Sequence, residues 1–220
     1  MRALVIGASG GIGAALCAAL TARGAAVTGL SRSADGLDVT DETAIARVMG
    51  ALEGPFQTVI VATGALVIGG HRPEKTLKAV DAAGMAAQFA LNAMGPMLVL
   101  KHALRLMPKD APARFGVLSA RVGSIGDNAL GGWYSYRTAK AALNQLIHTA
   151  AIEVARTHRH AVLALLHPGT VDTAFTAAYQ PAYDKLTPAQ SAAALLGVLD
   201  GLIPAQSGGF FDYRGEMIPW

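Results

Sequence analysis

Apolar residues fall in short, nearly unbroken runs at 3–6, 25–30, 58–62, 115–119, 161–167 and 209–213. Strands buried on both faces read this way, whereas half-exposed strands alternate apolar and polar residues. Between the runs lie longer stretches of helical pattern at 12–23, 41–52, 75–107, 135–156 and 188–202. Strand and helix alternating along a chain imply an α/β fold, a doubly wound parallel sheet with helices on both faces. No linker or internal repeat interrupts residues 1–220, so one domain is expected. One connection is short: only Ser31 to Gly36 separate the second strand from Leu37-Asp38-Val39. A full crossover helix with its loops needs about a dozen residues, so a shortened crossover is expected there.

Composition narrows the function classes. With 220 residues, 52% hydrophobic and 15% charged, the chain can bury a sizeable core and is neither a disordered segment nor a disulfide scaffold. The 18 basic and 15 acidic side chains leave a net charge of +3 without a basic block, so no nucleic-acid partner is expected. A single cysteine, Cys17, points to a reducing, cytoplasmic compartment, and the six scattered histidines suggest no metal. Residues 3–22 carry no charge and are flanked by Arg2 and Arg23, a pattern that raises a membrane span or leader. Gly7, Gly10, Gly11 and Gly13 interrupt that stretch, however. Strand, glycine turn and helix is the better parse, and no membrane partner is expected.

The glycine turn is also the first candidate for chemistry. In Gly7-Ala8-Ser9-Gly10-Gly11-Ile12-Gly13, glycines let the backbone turn tightly against a pyrophosphate while a helix starting near Gly11 aims its N-terminal amides at the anion. Gly7, Ser9 and Gly11 also spell G-x-S-x-G, the nucleophile elbow of hydrolases, but only eight residues precede Ser9, too few for the loop that supplies an oxyanion-hole amide. Ser31 and Arg32 end the second strand where an acidic residue would accept from an NAD ribose. An Arg there suits a 2′-phosphate and favours NADP(H) over NAD(H). Tyr136 and Lys140, four apart on a helix, share a face, and an ammonium beside a phenol stabilises the phenolate.

Together these motifs resemble the short-chain dehydrogenase/reductase family over nearly the whole chain, and the stretch from Arg121 to Asn128, followed by Gly131 to Arg137, looks most like the branch typified by the C-factor signalling protein and small carbonyl reductases. Gly7, Gly11 and Gly13 match its cofactor glycines, and Asp38-Val39 its adenine-ring segment. Tyr136 and Lys140 match its Y-x-x-x-K pair, and Asn92 its water-holding helix asparagine. Pro168-Gly169-Thr170-Val171-Asp172-Thr173 resembles its P-G-x-V-x-T segment at the nicotinamide and diphosphate. The resemblance implies a Rossmann-like fold with cofactor contacts at Gly7, Ser9, Gly10, Gly11, Ile12, Gly13, Ser31, Arg32, Asp38, Val39, Ala62, Thr63, Gly64, Tyr136, Lys140, Pro168, Gly169, Val171 and Thr173. It implies a small carbonyl or alcohol substrate, a lid over 174–187 carrying Phe175, Tyr179, Pro181 and Tyr183, and a homodimer or homotetramer. Hydride transfer would run with Tyr136 as acid/base, Lys140 tuning it and Asn92 anchoring a water.

Three positions depart from the family pattern. Ile6 replaces a threonine, Val61-Ala62-Thr63-Gly64 replaces N-N-A-G, and Ser119-Ala120 replaces a Ser-Ser pair whose second member is catalytic. Ser119, or else Ser124, is expected to substitute for the missing hydroxyl, although strand alternation can turn Ser119 away. The alternative is a dinucleotide-binding sensor or signalling protein with little or no catalysis.

Overall fold

The computed structural model describes residues 1–177 and 184–220. Six parallel strands, β1 (Arg2–Ile6), β2 (Ala26–Leu30), β3 (Thr58–Val61), β4 (Ala113–Leu118), β5 (Ala161–His167) and β6 (Phe210–Asp212), form one sheet in the order β2-β1-β3-β4-β5-β6. Helices α1 (Gly11–Ala22) and α7 (Pro188–Gly201) cover one face. The other carries α3 (Glu42–Gly50), α5 (Gly95–Ala103) and α6 (Tyr134–Val154), with α4 (Ala82–Phe89) packed on α6.

Strand alternation explains the unbroken apolar runs. Leu4, Ile6, Phe115, Val117, Leu163 and Leu165 pack toward α5 and α6, while Ala3, Val5, Val162, Ala164 and Leu166 pack toward α1 and α7. Both parities therefore need apolar side chains. The uncharged stretch 3–22 becomes β1, the glycine turn and α1, three pieces of the sheet's own layers.

Two connections shape the site. Between β2 and α3 the chain makes only a single-turn helix, α2 (Arg32–Asp35), capped by the Ser31 hydroxyl and ended by Gly36 at φ 65°. The sheet therefore stops at β2. The expected helix over 75–107 is instead broken: Asp81 caps α4 through the Gly84 N–H at 2.8 Å, and a π-helical turn over Ala90–Met94 separates α4 from α5. Asn92 lies on that turn, and such single turns recur at functional sites. The strand order reverses direction between β1 and β3, the place where open parallel sheets bind ligands beyond their carboxyl ends.

Candidate active site

The glycine turn leaves β1 at that switch point. Gly7 has φ 90°, and a Cβ there would lie 2.9 Å from the Ala62 carbonyl carbon. A Cβ on Gly13 would lie 2.0 Å from the Gly7 oxygen, so helix and turn meet backbone to backbone. Helix α1 has no side-chain cap at Gly10 and no acidic residue in its first turn, which leaves its N-terminal amides available to an anion. Beside the turn, the Thr63 hydroxyl is buried without a partner. A cradle closed to side chains and an orphaned polar atom next to it fit a dinucleotide. Gly7, Gly10, Gly11, Gly13 and Thr63 would hold its phosphates and ribose.

Further along the same rim, the structure brings Asn92, Gly64 and Lys140 together. A Cβ on Gly64 would stand 2.9 Å from Asn92 Oδ1 and 3.8 Å from Lys140 Nζ. Asn92 is fully buried. Its Nδ2 donates to the Ala65 carbonyl at 3.0 Å and to Gln88 Oε1 at 2.7 Å, and its Oδ1 accepts from the Ala65 N–H at 3.3 Å. Gln88 in turn donates to the Leu66 carbonyl at 2.8 Å. Gln88 and Asn92 thus clamp the loop after β3. Gln88 was missed in the sequence, although its spacing of four from Asn92 is the same signal that linked Tyr136 to Lys140.

Tyr136 and Lys140 lie on the first turns of α6, both buried. Lys140 Nζ donates to the Leu118 carbonyl at 2.9 Å and sits 5.9 Å from the Tyr136 ring centre. Burial pushes Lys140 down to about 7, and burial likewise pushes the Tyr136 phenol above its ordinary range. The expected lowering of the phenol by its lysine is therefore not what this arrangement does: desolvation dominates and keeps the phenol protonated. The Trp133 ring lies 6.2 Å from Tyr136 and the Phe175 ring 6.3 Å away, so the phenol has aromatic walls. Of the other expected lid residues, Tyr179, Pro181 and Tyr183 lie outside the described residues.

Ser119 does a different job from the one expected. It continues β4 on the side facing α6, where its hydroxyl donates to Asn144 Oδ1 at 2.6 Å, one helical turn beyond Lys140. Both Ser119 and Asn144 are buried, so this bond is not traded for solvent. Ser124 accepts from the Asp127 N–H at 3.0 Å and closes a turn. The Ser119 hydroxyl is thus engaged with Asn144, and the Ser124 hydroxyl with the Asp127 N–H.

At the β2 end, Ser31 is buried and engaged locally: its hydroxyl accepts from the Ala34 N–H at 3.2 Å, and its own N–H donates to Asp35 Oδ2 at 2.7 Å. Arg32 remains exposed beside it. Asp38 accepts from the Thr40 N–H and hydroxyl at 2.9 and 2.7 Å, bonds that hold its carboxyl below the usual range, while Val39 is buried against Gly95. Across the turn, Thr173 brings its methyl within 2.7 Å of where a Gly11 Cβ would be, so the segment from Pro168 to Thr173 overhangs the cradle. Pro168 is tied to α7 by the Ser191 hydroxyl at 2.8 Å, and Gly169, at φ 78°, admits the Tyr213 ring alongside it.

Comparison with known proteins agrees with this layout. The family model described as short chain dehydrogenase matches residues 1–184. The chain is 39% identical over 142 residues to the C-signal of Myxococcus xanthus, which covers 64% of this chain and 81% of that protein. It is 35% identical over 133 residues to the 1-hydroxy-2-glutathionyl-2-methyl-3-butene dehydrogenase of Rhodococcus sp. (strain AD45), covering 60% of this chain and only 57% of that protein. Among solved structures, the NADPH-bound carbonyl reductase from chicken fatty liver superposes with a TM-score of 0.83 over 100% of this chain and 98% of its own, at 23% identity. A structure of short-chain dehydrogenase/reductase type from Burkholderia multivorans with bound NADP gives a TM-score of 0.82 over 100% and 99%, at 26% identity.

Proposed function

The chain belongs to the short-chain dehydrogenase family, whose model spans residues 1–184, and on that premise we propose that it is an NADP(H)-dependent reductase of a small, largely apolar carbonyl compound. The carrying observation is the convergence of Tyr136, Lys140 and Asn92 at the rim of a glycine cradle, with the phenol buried and held protonated. When bound, the nicotinamide supplies a hydride to the carbonyl carbon. Tyr136 then gives its proton to the carbonyl oxygen, a role suited to a phenol that burial keeps neutral. Lys140, near its own midpoint at about 7, can accept or release a proton at Nζ, and Asn92 Oδ1 faces the same space and would anchor the water that links it to solvent. The walls formed by Trp133 and Phe175 suit an apolar substrate. NADP preference rests on exposed Arg32 and on NADP-bound relatives.

The test is cofactor oxidation over a panel of apolar aldehydes and ketones. NADPH should be consumed at least about tenfold faster than NADH, and Arg32→Glu should erase that difference, because an Arg pairs with the 2′-phosphate. Binding of NADPH without turnover on any substrate would overturn the enzyme reading. It would favour a dinucleotide-binding signalling protein, a reading supported by Ala120 and by the likeness to C-signal.

Ala120 also yields a gain-of-function prediction. One missing hydrogen-bond donor to a developing oxyanion costs on the order of 10²–10³ in rate. Ala120→Ser should therefore raise kcat by about tenfold or more, whereas Ser119→Ala and Ser124→Ala should leave it within a few-fold. Steady-state kinetics on the three variants decide the point, and a large loss in Ser119→Ala would restore Ser119 as the donor.

A further inference from the structure

Helix α6 starts without a cap of its own. The residue before it, Trp133, is the one non-glycine residue at positive φ among those described (φ 54°, ψ 40°), and the first turn holds no acidic residue. A bulky side chain rarely adopts that conformation, and an indole cannot accept the helix's open N–H groups. The cap arrives from elsewhere. Glu74, 61 positions upstream in the loop between β3 and α4, accepts the Ser135 N–H on Oε2 at 3.2 Å and the Ser135 hydroxyl on Oε1. Its backbone carbonyl accepts the Trp133 N–H as well. Glu74 is only 7% exposed, so these bonds are shielded from water.

Tyr136 is the next residue after Ser135, and Trp133 is one of its two aromatic walls. A single residue, Glu74, thus holds the peptide groups on both sides of the point where the helix begins, Trp133 through its backbone carbonyl and Ser135 through its carboxylate. We propose that Glu74 is a positioning residue for Tyr136: by capping α6 and pinning Trp133, it sets where the phenol stands relative to the nicotinamide end of the cradle. The loop bearing Glu74 also contains His71, whose Nδ1 lies 3.2 Å from the α4-capping Asp81, so the same segment anchors the starts of both α4 and α6.

This inference rests on the reading of Tyr136 as the proton donor, and the test separates the two. Displacing a reacting group by about 1 Å can cost about 10² in rate without changing ground-state binding. Glu74→Ala should lower kcat by about 10–100-fold while the NADPH Kd stays within about twofold. Glu74→Gln, which keeps one accepting oxygen, should recover most of the loss. Ser135→Ala, which removes one of the two side-chain bonds and leaves the Ser135 N–H on Oε2, should lower kcat by about 3–10-fold, and the double variant should be no worse than Glu74→Ala alone. Amide hydrogen exchange in the first turn of α6 supplies a readout independent of turnover: it should accelerate in Glu74→Ala and not in Glu74→Gln. A protein that shows the exchange pattern but no turnover in the parent leaves Glu74 as the cap of α6 and refutes the reductase on which the positioning role rests. Unchanged kcat and exchange in Ser135→Ala, or a kcat loss matched by an equal loss of NADPH affinity, would overturn the positioning role.

Discussion

Tyr136→Phe removes one hydroxyl from a buried site and should lower kcat by about 10²–10⁴-fold, the range assigned to a positioned acid/base, while NADPH binding stays within about twofold. The geometry explains the asymmetry. The ring is buried between Trp133 and Phe175, and Phe fills the same volume, so neither wall moves. The glycine cradle and the overhanging segment from Pro168 to Thr173 are built from other elements and are untouched. Fluorescence titration with NADPH and single-turnover kinetics separate the two effects. Retention of a tenth or more of parental turnover would remove Tyr136 from the reaction.

Lys140→Met should abolish turnover and, at neutral pH, make the protein more stable. Burial holds Lys140 at about 7 in the folded protein against 10.5 for an ordinary lysine. Between those two values the unfolded chain binds a proton that the folded one does not, so stability rises with pH across that window. Below pH 7 both states bind it, and the cost of burying the ammonium is fully present. At about 1.4 kcal/mol per pH unit the cost amounts to several kcal/mol, less what the bond to the Leu118 carbonyl returns. Methionine has nearly the same length and no charge. Its advantage over lysine should be largest at pH 6–7 and should shrink toward pH 10, as urea unfolding across that range would show. Equal pH slopes in the two proteins would mean that Lys140 is not desolvated as described. The destabilised ammonium is a local conflict of the kind proteins keep where chemistry needs it.

Features that depend on neighbours in the chain were legible in the sequence. The doubly wound sheet follows from apolar runs of both parities, the glycine turn from the spacing of Gly7, Gly11 and Gly13, and the Tyr136–Lys140 pair from the helical repeat. What escaped depends on contacts distant in sequence or on the competition between two energies. The π-helical turn at Asn92 inserts its irregularity without breaking the apolar pattern of 75–107, so that stretch reads as one helix. Ser119 faces α6 as strand parity allows, but only the fold shows that Asn144 is there to take its hydrogen bond. The Glu74 cap joins residues 61 apart. For the Tyr136 phenol, charge and burial act in opposite directions, and motif spacing says nothing about which prevails.

The single-turn α2 beyond β2 has a consequence for how the site empties and fills. Isolated helices of fewer than about 12–15 residues are marginal in water, so a four-residue helix persists only through its end contacts at Ser31, Asp35 and Gly36. The opposite end of the cleft is walled by Tyr136, Lys140 and Asn92, all buried. One long ligand laid across both ends would thus be gripped unevenly. It would peel away from the soft margin first and seat from the rigid end outward.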